Sequence, residues 1–276
     1  MVLDGRVLAN KIKEKLAKEV VDLKNKLNAT PKVATILVGD DEASRVYVNM
    51  KRKATREIGL GSVLVKMPEQ TTTEELIKKI EELNKDVSVC GILLQHPVPK
   101  HIDEGKCFNA INERKDIDGV NTNNFGKMAM GQKAFYSATP LGIMLLLEHY
   151  NINVEGKHAL IIGRSQILGK PVASMLLNKN ATVTIAHSKT KNLEELLKQA
   201  DIVVACVGKP NFIKTSTLKQ GVIVIDAGYS SGNIGDVEQE NLEHIASYYT
   251  PVPGGVGPMT IAALLTQAVE SIKNML

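Results

Sequence analysis

A chain of 276 residues, 43% of them hydrophobic, is long enough to form two domains of ordinary size with buried cores. Its net charge of +4, from 34 basic and 30 acidic side chains, comes without a long basic run or interleaved aromatics. That argues against a nucleic-acid surface and leaves small anionic ligands open. No apolar run approaches the ~20 residues of a membrane span. Three scattered cysteines argue against a disulfide framework or a zinc site, and a first segment charged from Asp4 onward argues against a secretory signal. We expect no metal, no membrane, no nucleic acid and a cytoplasmic location.

Leu8, Ile12, Leu16, Val20, Leu23 and Leu27 recur at helical spacing and predict an amphipathic covering helix. Residues 32–38 read as a strand closed by Gly39-Asp40-Asp41. Residues 43–58 read as a helix with Val46, Met50, Ala54 and Ile58 on its buried stripe. Tyr47 and Lys51 lie beside that stripe, one turn apart. A strand over 62–67 precedes Thr72 and Glu75, whose spacing is that of a capping box opening a helix to Leu83. The apolar strand 89–95 runs into His96-Pro97-Val98-Pro99, which cannot continue a central strand. Gln95 is therefore left at the carboxyl edge, where open α/β sheets place their ligand crevice. Asp118-Gly119 is a turn signal, and Asp116 and Asp118 are both compatible with a solvated loop.

The helix 139–150 is apolar nearly all round and reads as a buried connector between two domains, with the boundary near Ala138. Residues 158–189 then give strand, polar turn, helix and strand, the size of a βαβ nucleotide-binding unit. Pro171 sits in the helix's first turn, where it removes no intrahelical bond, and Val172, Leu176 and Leu177 are expected to face the sheet. Free N–H groups at that helix's start suit a phosphate. Gly163 and Gly169 are six residues apart with Ser165 in place of the middle glycine, so the regular G-x-G-x-x-G pattern fails. The second strand ends in His187-Ser188-Lys189 without the acid that would hold an NAD ribose. Arg164, Ser188 and Lys189 could bind a 2′-phosphate, so these residues favour NADP. Strands over 201–208 and 221–228 end in Gly208 and Gly228. The glycine- and proline-rich loop 250–260 is expected to be neither helix nor central strand. A last helix over 261–275 is expected to return to the first domain.

Tyr47 and Lys51 form the Tyr-x-x-x-Lys of short-chain dehydrogenases, but here the pair precedes the glycine turn instead of following it. Taken together, ASRVYVNMKRKA, GILLQHPVP, KDIDG, ATP, GRSQILGKP, HSKT, VIDAG and TPVPGGVGPMT resemble the bifunctional methylenetetrahydrofolate dehydrogenase/cyclohydrolase family, in order and spacing, from about Asp4 onward. The resemblance implies an α/β fold of two domains flanking a cleft. One, residues 1–138 with helix 260–276, would be a folate-binding catalytic domain. The other, residues 139–259, would be a Rossmann-like NADP-binding domain with a mostly parallel sheet. It also implies a homodimer acting on tetrahydrofolate one-carbon derivatives: NADP-dependent oxidation of 5,10-methylenetetrahydrofolate to the methenyl form, then hydrolysis to 10-formyltetrahydrofolate.

On this resemblance Lys51 moves protons in the hydrolysis, Gln95 orients it, and Tyr47 and Asp118 bind the pterin. Gly255 and Pro258 join the substrate site, while Gly163, Arg164, Ser165, Gly169, His187, Ser188, Lys189, Gly208, Gly228 and Thr260 hold the cofactor. The chain departs from the family's usual residues at Glu42, His96, Glu113 and Ser137-Ala138, none of which removes a catalytic group. The rival readings are another two-domain dehydrogenase, of shikimate or amino-acid type, and a non-catalytic nucleotide-binding module. The intact quartet of Tyr47, Lys51, Gln95 and Asp118 speaks against the second.

Overall fold

The computed structural model describes all 276 residues, which separate by contact into two units. One comprises Lys11–Lys127, Lys133–Tyr136 and Leu264–Leu276. Its elements are most of α1 (Gly5–Leu27), then β1 (Lys32–Val38), α2 (Glu42–Glu57), β2 (Gly61–Met67), α3 (Thr73–Lys85), β3 (Val89–Leu94), α4 (Glu104–Ala110) and the start of α5 (Thr122–Ala129). Along α1, Leu8, Leu16, Val20 and Leu23 are buried, as their spacing predicts. The capping box is present: Thr72 Oγ1 accepts from the Glu75 amide at 3.2 Å, and Glu75 Oε2 accepts from the Thr72 amide at 2.8 Å. The three strands are parallel in the order β2-β1-β3.

Helix α2 corrects the sequence reading. Val46 and Met50 are 53% and 50% exposed, and the buried face is Ser44, Val48, Lys51, Ala54 and Thr55. Ala54 and Ile58 are buried as expected, but at the start of the helix the inward face runs through Ser44, Val48 and Lys51 in place of Val46 and Met50. The face carrying a lysine is the one that turns inward.

The second unit comprises Met1–Asn10, Met128–Gln132 and Ser137–Ala263. It holds α6 (Ala138–His149), β4 (His158–Ile162), α7 (Gly169–Leu177), β5 (Thr182–Ala186), α8 (Leu193–Gln199), β6 (Ile202–Ala205), β7 (Ile223–Asp226), α9 (Leu242–Ile245) and β8 (Tyr248–Tyr249). α10 (Val256–Lys273) is divided between the units at Ala263. The five strands are all parallel, in the order β5-β4-β6-β7-β8. β6 and β7 are buried at every residue, which is why they read as unbroken apolar runs. Val2 bridges to Tyr249, and the Leu3 amide donates to the Tyr249 carbonyl at 2.8 Å, so the first residues cover the β8 edge.

Three further expectations change. Leu177 is 61% exposed while Val172 and Leu176 are fully buried, because the sheet-facing arc of α7 is narrower than its apolar content. β6 and β7 stop at Ala205 and Asp226, so Gly208 and Gly228 lie in loops beyond them. The segment expected to be loop as far as Thr260 is already helical from Val256, with Pro258 in the first turn, where its missing N–H costs no bond. No helix is long and apolar enough to cross a membrane.

Candidate active site

In each sheet the first strand has later strands on both sides: β1 lies between β2 and β3, and β4 between β5 and β6. The connections leave in opposite directions at that point, which is where open α/β sheets place a ligand, beyond the strands' carboxyl ends. In the smaller sheet, Gln95 follows β3 at this edge, its amide donating to the Ile36 carbonyl of β1 at 2.9 Å. Lys51 approaches from α2. It is 7% exposed, and its Nζ donates to Gln95 Oε1 at 3.1 Å.

The Gln95 amide is itself held, because its Nε2 donates to the His96 carbonyl at 2.7 Å. With the amide nitrogen committed to a carbonyl, only the oxygen can face the lysine. Burial pushes the Lys51 pKa down, and the negative charge of Asp118 works against that shift without cancelling it. The outcome is an amine more easily deprotonated than an exposed lysine. Tyr47 is half-buried one turn before it on the same helix.

Neither aspartate of the 115–119 loop is solvated, contrary to the reading that both could be. Asp116 is 0% and Asp118 is 9% exposed. Asp116 accepts from the amides of Val120 at 3.1 Å and Asn121 at 2.9 Å, and from Asn124 Nδ2 at 2.9 Å. The loop therefore wraps around its own side chain. Ile117 plugs into the space above Gly91, where a Cβ would lie 2.6 Å from Ile117 Cγ2. Gln267 Nε2 donates to the Ile117 carbonyl at 2.8 Å. Asp118 is thus carried on a rigid turn, with Gly119 in the left-handed region at φ +63°.

At the larger sheet, Gly163 and Gly169 are required by packing: a Cβ would lie 2.4 Å from the Cys206 carbonyl oxygen in the first case and 2.3 Å from the Gly163 oxygen in the second. Gly169 fills the role of the glycine that lets helix approach strand. Arg164 and Ser165 between them are exposed. Ser188 and Lys189 are also exposed, in a turn where His187 Nδ1 accepts from the Lys189 amide at 3.1 Å. Gly208 is exposed and left-handed, φ +67°, with nothing within 4 Å of a Cβ. Gly228 and Gly255 answer to local crowding instead, since a Cβ would meet Asp236 Cγ at 2.2 Å and Thr250 Cβ at 2.6 Å respectively. Thr260 bonds Thr139 through the two hydroxyls at 3.0 Å. Two surface grooves, of about 640 Å³ beside α8 and about 400 Å³ at the amino ends of β4, β6 and β7, are lined by none of these residues.

Two models of one family match nearly the whole chain. The tetrahydrofolate dehydrogenase/cyclohydrolase catalytic domain matches residues 3–118, and that family's NAD(P)-binding domain matches residues 137–276. The chain belongs to the tetrahydrofolate dehydrogenase/cyclohydrolase family. The bifunctional protein FolD of Cellvibrio japonicus is 58% identical over 98% of this chain and 97% of its own length. The FolD methylenetetrahydrofolate dehydrogenase/cyclohydrolase crystal structure from Campylobacter jejuni superimposes with a TM-score of 0.97, at 46% identity, covering 100% of this chain and 99% of that one. FolD from Trypanosoma brucei, solved with NADP cofactor and an inhibitor, gives 0.95 at 32% identity, covering 100% and 98%.

Within this tetrahydrofolate dehydrogenase/cyclohydrolase chain, sequence reasoning singled out Lys51, Gln95 and Asp118 and passed over the groups that hold them. Asp116, Gln267 and the His96 carbonyl carry no local pattern that marks them. The spacing of Asp116 to Asn121 and Asn124 is the only trace.

Burial raises the Asp116 pKa from the ordinary carboxylate range to about 6, its three N–H bonds opposing the shift and the Asp118 charge adding to it. A raised folded-state pKa gives stability that is full below the unfolded value and is lost as pH rises through about 6. Relative to Asp116→Asn, the parent should therefore gain about 1 kcal/mol in urea-unfolding stability between pH 7 and pH 5. A parent-minus-variant difference that stays flat over that interval would show that Asp116 does not titrate there.

Proposed function

We propose that this chain oxidises 5,10-methylenetetrahydrofolate to the 5,10-methenyl form and hydrolyses that cation to 10-formyltetrahydrofolate, with Lys51 moving the protons of the second step. Family membership supports the reaction pair. The observation that carries the residue assignment is the buried Lys51 amine, lowered in pKa and held 3.1 Å from the Gln95 carbonyl oxygen.

The two steps ask for different help. In the first, hydride leaves a carbon flanked by two nitrogens whose lone pairs stabilise the cation, so alignment matters and no base is required. NADP, when bound, supplies the hydride acceptor. In the second, water adds to the methenyl carbon, loses a proton, and the carbon–nitrogen bond then breaks as that nitrogen gains one. A neutral Lys51 amine can take the first proton and, as ammonium, return it to the departing nitrogen. Gln95 aims the amine. Asp118 accepts from the pterin amino and ring N–H groups, and Tyr47 lies against the folate ring. The unit built on β1, β2 and β3 is the folate-binding catalytic domain of this reading.

The unit built on β4 to β8 is its NADP-binding domain, and its residues fit that cofactor. The gap between β4 and β6, the open left-handed turn at Gly208 and the tight Gly163–Gly169 approach suit a dinucleotide. Arg164, Ser188 and Lys189 suit the 2′-phosphate, and Ser165, His187 and Thr260 complete the set. The sheet's edges support a homodimer in this reading: β8 is covered by Val2 and Leu3, whereas β5 is an edge strand beside the 39%-exposed Ile185.

Lys51→Met should lower cyclohydrolase activity by about 10²–10⁴-fold, the usual cost of an acid/base group. Dehydrogenase activity should fall less, because Met keeps most of the stem's packing. The mutant should then accumulate the methenyl compound from methylenetetrahydrofolate and NADP, and hydrolysis of added methenyl substrate at the parent's rate would remove Lys51 from this role. Arg164→Ala should weaken NADP much more than NAD, since only NADP carries the 2′-phosphate; equal kcat/KM for the two cofactors in the parent would contradict the assignment. Light scattering at micromolar concentration should report a dimer, and a monomer there would remove the β5 contact.

A further inference from the structure

Beyond β6 the chain turns through Val207, Gly208 and Lys209, and one side chain takes all three of their amide hydrogens. Asp236 Oδ2 accepts from Val207 at 2.6 Å and Gly208 at 3.1 Å, and Oδ1 accepts from Lys209 at 2.7 Å. Asp236 is 0% exposed and is held in turn by a second buried carboxylate. Asp226, the last residue of β7, accepts from the amides of Gly228 at 2.9 Å, Asp236 at 3.0 Å and Val237 at 2.9 Å. The fit is tight on both sides. A Cβ at Gly228 would lie 2.2 Å from Asp236 Cγ, and one at Gly235 would lie 2.1 Å from Asp226 Oδ2.

Six backbone N–H groups thus converge on two carboxylates, and no side-chain cation is bonded to either. Placing two negative charges in a protein interior is costly unless they are fully hydrogen-bonded. An asparagine could not replace either one in kind, because it has a single acceptor oxygen and would point N–H at N–H. The turn that these bonds shape contains the one candidate glycine whose conformation is left-handed and whose missing side chain faces open space. Its left-handed backbone calls for a glycine, and the open face leaves room for a ligand to approach the turn.

We propose that Asp236, itself held by Asp226, is a positioning residue for the cofactor: it fixes the 207–209 turn at the switch point of the parallel sheet in the shape that receives the dinucleotide. The proposal rests on the NADP reading above. It assigns to a buried acid on the loop after β7 an effect felt in the loop after β6, and it predicts a defect confined to one of the two activities.

The test uses the full chain with Asp236→Asn and, separately, Asp226→Asn. KM for NADP, KM for methylenetetrahydrofolate and dehydrogenase kcat are measured, together with hydrolysis of added methenyltetrahydrofolate without NADP. Circular dichroism reports folding. Asp236→Asn should raise the NADP KM tenfold or more while the folate KM and the hydrolysis rate stay within twofold, and Asp226→Asn should act in the same direction by threefold or more. A folded Asp236→Asn with an NADP KM within twofold of the parent overturns the proposal. So does an equal fall in both activities, which would mark a merely structural role. Should Asp236→Asn not fold, Asp226→Asn decides, and an unchanged NADP KM there is the refuting result. A parent that binds no NADP by equilibrium dialysis refutes the nucleotide reading itself, an outcome separate from either variant's behaviour.

Discussion

Both sheets are parallel, and in both the first strand is enclosed by later ones, so the chain must leave that strand first one way and then the other. From this constraint the rest of the structure follows. Parallel strands need crossover connections, and the reversal falls between β1 and β3 and between β4 and β6, at whose carboxyl ends such sheets place a ligand. Gln95 stands at the first of these ends. Gly163 and the Cys206–Gly208 turn stand at the second. The five-stranded order, 2-1-3-4-5 by appearance within the sheet, is that of flavodoxin-like sheets and not the longer 3-2-1-4-5-6 arrangement, and it obeys the same rule about where a ligand sits.

The polar groups buried at these ends are satisfied almost wholly by backbone. Asp116 takes two amides and one side-chain amide, while Asp226 and Asp236 take three amides each. Burial raises the Asp226 pKa to about 6, as it does that of Asp116, so ionising either carboxylate at neutral pH works against folding. Such groups contribute shape more than stability. Asp116 and Asp226 fix the loops that follow them, and Asp236 ties the loop after β7 to the loop after β6, which apolar contacts, being non-directional, would do less specifically.

How far the sequence revealed all this depended on how local the signal was. Strand β1 and the capping box of α3 were legible to the residue, because an apolar run and a Thr–Glu spacing are local facts. Helix α2 was legible as a helix but not as a face. Its Val46–Met50 side is the more apolar, yet the Ser44–Val48–Lys51 side is buried, and only the tertiary context selects it. The start of α10 was missed because glycine and proline dominate residues 251–258, although proline in a first helical turn is tolerated. Lys51, Gln95 and Asp118 were proposed through resemblance and edge position. The bonding of Asp116 and Asp236 was not foreseen, since an acid bonded to backbone amides looks in sequence like any solvated acid.

The partner of Lys51 shows how a site can be tuned by what is withheld. A carboxylate at 3.1 Å from the amine would favour the ammonium form and hold the lysine protonated across neutral pH. Gln95 offers the same acceptor geometry without the charge, so burial governs and the amine's pKa goes down. Asp118 supplies the one nearby opposing charge, on a turn that Asp116, Ile117 and Gln267 hold in place. The amine is therefore set between a neutral acceptor that fixes its direction and a charged group that limits its shift. The proton transfers proposed for Lys51 would need that balance, since a lysine held too firmly as ammonium could not take the first proton and one held too firmly as amine could not give it back.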